Sequence, residues 1–156
     1  ENLDAWDLYQ RGVWHTLRGG REDLSEAQRL LQRAIELDPE FCLAHAYLAF
    51  SIWRSNIFRY EANPKESMER AFGSAKRAVS LDSGDAQAHW ALGVIHMQRR
   101  EHETAKQELR RAIEINPSFA HAYMWLGWTM AYDREPEEGL RMLQEAKRLS
   151  PNDPHG

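Results

Sequence analysis

The sequence is poor in cysteine, in excess positive charge and in long apolar runs. Its one cysteine, Cys42, excludes an intrachain disulfide framework and fits a reducing compartment. No apolar stretch approaches the ~20 residues that a membrane-spanning helix needs. The formal net charge is -4 with both signs interspersed, so the basic surface typical of nucleic-acid binding is absent. We therefore expect a cytoplasmic protein without a membrane or nucleic-acid partner.

The sequence also lacks the short motifs of common enzyme sites. It contains no phosphate-binding glycine loop, no serine–histidine–aspartate signature and no paired-carboxylate motif. Histidine occurs seven times, but never as the i, i+4 pair that zinc motifs show. We predict no catalytic residue, no cofactor and no metal site. The histidines are interpreted as structural, and Cys42 as an inert thiol.

What the sequence does contain is an internal repeat. Its landmarks recur 34 residues apart, as Leu92, Gly93, Ala105, Leu109, Ala112 and Pro117 and then as Leu126, Gly127, Gly139, Leu143, Ala146 and Pro151. Self-similarity at this period is typical of stacked helical repeats. Because the residue before a proline is disfavoured in a helix, each unit is expected to end just before its closing proline.

Each period holds two amphipathic helical patterns. One face of the first helix carries the i, i+3, i+4, i+7 set His89, Leu92, Gly93 and His96. The second helix has an apolar face formed by Ala105, Leu109, Ala112 and Ile113, and a face predicted to meet water formed by Lys106, Glu108, Arg110 and Arg111. Gly93 and Ala105 are small enough for the two backbones to approach closely, so the pair is predicted to form a hairpin.

The pattern resembles the tetratricopeptide repeat. That signature has a bulky residue, then Leu-Gly, an Ala that opens the second helix, a bulky residue, another Ala and a closing Pro. His89 and Tyr123 stand where the family most often has Trp, and His96 and Met130 where it often has Tyr. The resemblance implies an all-α fold: an α-solenoid in which four antiparallel helix hairpins, eight helices in all, form a right-handed superhelix.

The resemblance covers nearly the whole chain. We predict a single domain, 1–156, with repeat units at about 2–39, 40–83, 84–117 and 118–151. The chain begins without methionine and stops at a repeat-closing proline, so we expect a piece of a longer protein. Its tail, 151–156, would lead into a further helix.

Local signals predict where several helices begin. Asn2 and Ser118 are interpreted as N-caps, Asp23 with Glu26 as a capping box, and Asn63-Pro64 with Glu66 as another helix start. In the second unit, Ala49 takes the place of the glycine. From Ala49 to Ala71 the chain advances 22 residues, against 12 from Gly93 to Ala105. We expect this insertion to add one or two turns to each helix, because its Ile57, Phe58 and Tyr60 are poor material for a solvated linker.

The first helices carry a second apolar stripe, at a constant offset from the hairpin face. In tetratricopeptide proteins this offset lies on or next to the concave surface that binds peptides, so the resemblance implies an aromatic-rich groove. Aromatic side chains also dominate binding hot spots. The candidate partner-binding residues are Phe50, Trp53, Trp90, Met97, Met124 and Trp128. Such a groove would accept an amphipathic helix or an extended apolar peptide. The alternative is that these side chains form ordinary core between successive repeats.

A subset of the family binds C-terminal carboxylates with basic and amide side chains on the same helix faces. Here those faces offer Arg54, Gln87 and Gln98, which is too little positive charge, so we do not expect this mode.

The favoured interpretation of function is a non-catalytic protein–protein interaction module for a partner peptide or a neighbouring domain. The stretches LYQRGVWH and AIELDPEFCLAHAYLA in the first half are similar to repeat regions appended to bacterial class III nucleotide cyclases and to winged-helix transcription regulators. This second resemblance implies the regulatory arm of a signalling protein. The runner-up is a self-assembly element that dimerises through exposed apolar surface. Catalysis by this chain itself is the least favoured function.

Overall fold

The fold is all-α, as a computed structural model describes it for residues 2–152. Eight helices lie within this range: α1 (Leu3–Arg18), α2 (Arg21–Leu37), α3 (Cys42–Ile57), α4 (Pro64–Leu81), α5 (Ala86–Gln98), α6 (His102–Ile115), α7 (Ala120–Tyr132) and α8 (Pro136–Leu149). Consecutive pairs pack as hairpins, α1 with α2, α3 with α4, α5 with α6 and α7 with α8. The predicted helical-repeat architecture is therefore confirmed. The further helix expected after Pro151 falls mostly on residues outside the described range.

The chain divides into two compact units, Glu1–Ser83 and Gly84–Gly156. The first unit holds α1 to α4, and within it α2 and α1 both contact α3. The second holds α5 to α8, and within it α6 and α5 both contact α7. The division falls between α4 and α5.

Small residues let the two helices of a hairpin approach closely, as predicted. A Cβ atom added to Gly12 would lie 2.7 Å from Cγ of Leu31, and one added to Gly93 would lie 2.7 Å from Cγ of Leu109. On α7 the contact is backbone to backbone, because a Cβ on Gly127 would lie 2.8 Å from the carbonyl oxygen of Gly139. No larger residue fits there without displacing its neighbour.

The buried faces of the second helices follow the prediction closely. The equivalent repeat positions are fully buried in three of these helices: Ala27, Leu31 and Ala34 of α2, Ala71, Ala75 and Ala78 of α4, and Ala105, Leu109 and Ala112 of α6. The same pattern in the sequence assigns Leu37 to the buried face of α2, but Leu37 is exposed. That assignment is wrong because Leu37 is the last residue of the helix.

The predicted helix starts are partly right. Asn2 caps α1, since its Oδ1 accepts hydrogen bonds from the backbone N–H groups of Asp4 and Ala5. Helix α7 begins at Ala120 after Phe119, with no side-chain cap. The assignment of Ser118 as its cap is wrong, because the N–H of Ser118 instead donates to Oδ1 of Asn116 in the preceding turn.

The predicted capping box of α2 is also wrong. The helix begins at Arg21, two residues before Asp23, and Gly20 stands at the cap position. The Asp23 carboxylate instead accepts from Nδ1 of His15 and from Nε of Arg18, both on α1. It therefore joins the two helices of the hairpin rather than capping one of them.

Helix α4 starts at Pro64 after Asn63, as predicted, but Asn63 makes no side-chain cap. Its Nδ2 donates to Oε2 of Glu66. The insertion lengthens both helices of its hairpin, since α3 has 16 and α4 18 residues against 13 in α5 and 14 in α6. This confirms the expectation of about one additional turn on each.

The turns inside the hairpins share a left-handed residue. Its φ is 76° at Gly19, 58° at Arg59, 63° at Arg100 and 66° at Arg134. After each arginine, the next N–H donates to the carbonyl five residues back: Tyr60 to Ser55, Glu101 to His96 and Glu135 to Met130. This is the Schellman C-terminal motif, whose left-handed position usually holds glycine. Three hairpins therefore place a strained arginine where glycine fits best.

An ion cluster around the buried side chain of Lys106 connects α6 to the turn between α7 and α8. Nζ of Lys106 lies 2.5 Å from Glu103, 2.6 Å from Asp133 and 2.7 Å from Glu135, and its side chain is 3% exposed. The prediction that Lys106 faces water is wrong, because two of its partners come from that turn. Burial opposes the charge on Lys106, but hydrogen bonds to Asp133, Glu103 and Glu135 outweigh it and raise the pKa of the lysine. In turn, the hydrogen bond from Lys106 lowers the pKa of Asp133.

Replacing Arg100 by glycine is expected to raise the free energy of unfolding by roughly 0.5–1 kcal/mol, because glycine adopts positive φ without the steric cost. The matched control is Arg110→Gly, at an exposed position inside α6. It should lower the free energy of unfolding by about 1 kcal/mol. Urea denaturation followed by circular dichroism measures both, and a loss of stability in Arg100→Gly would contradict the strain at this turn.

Replacing Lys106 by methionine should lower the free energy of unfolding at pH 7 by about 1 kcal/mol, since three carboxylates lose their shared partner but stay in contact with solvent. The folded-state pKa of Asp133 is depressed, so its contribution exists above the pKa of the unfolded chain and disappears as pH falls through the folded value. The difference between variant and wild type should therefore shrink in acid. Lys147→Met, at an exposed site on α8, should change stability by less than about 0.5 kcal/mol. Equal decreases in the free energy of unfolding of the two variants would show that the cluster does not stabilise the fold.

Candidate interaction surface

Helix α7 has two different apolar faces. One face packs in the hairpin through Leu126, Gly127 and Met130, all buried. The other face, called the α7 face here, consists of His121, Met124, Trp125, Trp128 and Tyr132. Trp128 is 45% exposed and Tyr132 is 68% exposed. Two large aromatic side chains one helical turn apart therefore form an exposed apolar patch, a feature that marks interaction sites more often than chance.

The six predicted partner-binding residues fall into two groups. Trp128 is exposed, and Met97 and Met124 are half-buried. These three lie on α5 and α7, which contact each other in the second unit. A partner could reach them without any rearrangement of the helices.

The other three predicted residues are buried: Phe50 is 8%, Trp53 6% and Trp90 3% exposed. The rings of Phe50 and Trp53 stack with centroids 5.3 Å apart. The Trp90 ring lies 5.8 Å from Phe119 and 6.2 Å from His121. Trp90 therefore packs between successive hairpins, as the core alternative described.

Sequence reasoning missed two phenylalanines that take part in this packing. Phe41 lies 5.9 Å from the Trp6 ring and 5.1 Å from the Tyr9 ring. Phe119 has the equivalent role against Trp90. Each phenylalanine comes two residues after a repeat-closing proline, at Pro39 and Pro117. That constant offset was the signal that could have found them.

Three histidines pair with carboxylates inside hairpins. Nδ1 of His15 lies 2.7 Å from Asp23, that of His89 2.6 Å from Glu108, and that of His96 2.5 Å from Glu101. The hydrogen bond from His15 lowers the pKa of Asp23, and the one from His96 lowers the pKa of Glu101. These contacts support the structural interpretation of the histidines.

The carboxylates of Glu103, Asp133 and Glu135 lie close enough together to hold a metal ion. The ammonium group of Lys106, however, already bonds to all three. A cation bound there would have to displace it, so the geometry describes an ion-pair cluster. The Cys42 thiol donates to the carbonyl of Ala78 at 3.3 Å, which ties α3 to α4.

None of the helices in the described part of the chain is both long and apolar enough to span a bilayer.

Comparison with known proteins agrees with this architecture. Residues 86–119 match the family model described as the tetratricopeptide repeat. The structure of pilF from Pseudomonas aeruginosa has a similar fold, with a TM-score of 0.72 and 22% identity, covering 97% of this chain and 63% of that one. The first tetratricopeptide domain of Spaghetti (RPAP3), solved bound to the HSP90 peptide SRMEEVD, has a TM-score of 0.65 and 18% identity, covering 86% of this chain and 96% of that one.

Among curated proteins, "Putative adenylate cyclase 3" of Rhizobium meliloti (strain 1021) is 30% identical over 103 residues, which is 66% of this chain and 18% of that protein. The chain thus spans less than a fifth of the length of the curated relatives it matches. The match at residues 86–119 contains the Leu-Gly landmark Leu92-Gly93 and the hairpin of α5 and α6. Residues 86–119 are therefore a tetratricopeptide repeat, and the described chain has the all-α repeat fold of tetratricopeptide-repeat proteins.

Proposed function

We propose that this chain is a non-catalytic interaction module that binds a peptide or a neighbouring domain through the α7 face, together with Met97 of α5. The observation that carries the proposal is the exposure of Trp128 and Tyr132 on a helix whose opposite face is already buried in its hairpin. A segment with apolar side chains at helical or extended spacing would cover these rings.

The flexible side chains Met97 and Met124 support the same proposal. Both are half-buried, so each exposes part of its surface. Methionine adapts its shape to different apolar partners at little cost, and it is common on binding surfaces for that reason. The repeat architecture supports the proposal too, since the similar Spaghetti (RPAP3) domain was solved bound to an HSP90 peptide.

We also propose that the module is the regulatory arm of a larger bacterial signalling protein, such as a nucleotide cyclase. The support is the similarity to "Putative adenylate cyclase 3", of which this chain spans 18%. Measuring cyclase activity of the full-length gene product with and without residues 1–156 tests this part. If neither form of the product makes cyclic nucleotide, the proposed role as a regulatory arm of a cyclase is wrong.

The binding proposal predicts that Trp128→Ala weakens peptide binding at least tenfold, since central aromatic residues commonly contribute about 2 kcal/mol or more to such interfaces. The ligands are peptides selected from a displayed random library against the wild-type protein, with affinities measured by fluorescence polarisation. The matched control is Trp14→Ala, because Trp14 is 54% exposed but lies on α1 in the first unit. Selected peptides that bind both variants equally well would contradict the α7 face as the binding surface.

Self-association is the second candidate function, favoured by the exposure of Leu140 on α8 in addition to Trp128 and Tyr132. Exposed apolar patches of this kind also pair with second copies. Sedimentation velocity over a wide concentration range separates the two functions. A dimer that dissociates in Trp128→Ala supports assembly, whereas a monomer at every concentration removes this candidate.

A further inference from the structure

The turn ends of the two hairpins in the first unit carry an arginine that no acid neutralises. Arg54 of α3 lies between two rings, with Cζ 6.0 Å from the centroid of Phe50 and 5.9 Å from that of Phe58. Its Nη2 lies 2.5 Å from the point where a Cβ on Gly19 would stand. The guanidinium therefore extends from α3 over the turn between α1 and α2, and it uses the space that a glycine leaves there.

In this position the Arg54 side chain forms no ion pair with a described residue. Several arginines of the described chain bond to a carboxylate one helical turn away, for example Arg29 to Glu26 and Arg33 to Glu36. The Arg54 side chain forms no hydrogen bond or salt bridge with any residue in the range 2–152, and the residue is half-buried. Burial lowers the pKa of its guanidinium. A partly desolvated cation without a counter-charge gains most from an anion supplied by a partner.

A second guanidinium extends the same surface. Cζ of Arg21, the first residue of α2, lies 4.8 Å from the centroid of the Tyr60 ring. The rings of Tyr60 and Phe58 are 5.7 Å apart. Arg54, Phe58, Tyr60 and Arg21 therefore form a continuous series of two cations separated by two rings. Arg21 is exposed and, like Arg54, has no carboxylate partner in the described range.

The neighbouring acids do not compensate these two arginines. Asp23 accepts hydrogen bonds from His15 and Arg18. Glu61 accepts from Gln28 and Ser67. Glu22 is exposed in the first turn of α2 and forms no ion pair with either arginine. The surface therefore presents two guanidiniums without an ion pair, beside Asp23 and Glu61, which already accept hydrogen bonds, and beside the exposed Glu22.

The chemistry of this series selects its ligand. A guanidinium that lies against an aromatic ring keeps its N–H edge available, and that edge matches a carboxylate with two parallel hydrogen bonds. The exposed side chains of Ile57 and Phe58 and the half-buried ring of Tyr60 offer apolar contact between the charges. A nucleic-acid backbone fits less well, because its affinity depends on neutralising many phosphates and this surface offers two guanidiniums.

We propose that Arg54 and Arg21, with Phe58 and Tyr60 between them, form a docking site for an acidic segment of a protein partner, in which carboxylates and apolar side chains alternate. The site lies on α2, α3 and the segment 58–60 in the first unit, whereas the α7 face lies in the second. The two surfaces are therefore tested by different variants, and one can fail while the other stands.

The test uses a fluorescein-labelled peptide of alternating Glu and Leu, with the Gln-and-Leu peptide as the neutral probe. Arg54→Gln and Arg21→Gln should each weaken binding of the acidic peptide about tenfold, as expected for loss of a bidentate charged contact. The matched control, Arg33→Gln, removes an exposed arginine that already pairs with Glu36, and it should change affinity less than about twofold. Equal weakening in all three variants, or equal binding of the neutral peptide, would overturn the site.

A measurement on the wild-type protein guards against loss of folding in Arg54→Gln. Addition of the acidic peptide should shift the Nε–Hε resonances of Arg54 and Arg21 in nitrogen-15 correlation spectra and leave that of Arg33 in place. Unshifted Arg54 and Arg21 signals at saturation would overturn the proposal. A single-stranded oligothymidylate that binds more tightly than the peptide, and loses affinity with the same two variants, would assign the site to nucleic acid instead.

Discussion

The close approach of the two helices in each hairpin is the constraint on which the rest of the structure depends. At Gly12 and Gly93 a leucine of the facing helix fills the space where a side chain would stand, and at Gly127 the backbone of Gly139 fills it. This contact buries one face of the first helix in each hairpin. The other apolar side chains of that helix must therefore pack against another element or be exposed to solvent. The candidate interaction surface is a direct result of that division.

Side chains at the same repeat position can therefore be buried in one hairpin and exposed in another. Phe50 follows Ala49 and Trp128 follows Gly127, so the two side chains occupy equivalent places in their repeats. Phe50 is buried and stacks on Trp53, whereas Trp128 is exposed. Periodicity predicts which way a side chain points from its own helix. It does not predict what packs against that side chain, and that is why the sequence could name six candidates but could not separate the buried three from the reachable three.

Local chemistry explains which parts of the fold were predictable. The start of α4 at Pro64 was predicted correctly because proline restricts the backbone by itself. The buried state of Lys106 was missed because its partners Asp133 and Glu135 lie almost thirty residues away in sequence. The left-handed arginines were missed as well, since arginine carries no sequence signal for positive φ.

The most direct test of this account is the same substitution at two helical glycines. A Cβ atom added to Gly127 would lie 2.8 Å from the carbonyl oxygen of Gly139. A Cβ atom added to Gly73 of α4 would lie in open space. Gly73→Ala should raise the free energy of unfolding by about 1 kcal/mol through helix propensity alone. Gly127→Ala should lower it by roughly 1–2 kcal/mol, because the cost of separating the helices exceeds that gain. Urea denaturation of the two variants measures both values, and stabilisation by both substitutions would contradict close helix approach as the basis of the fold.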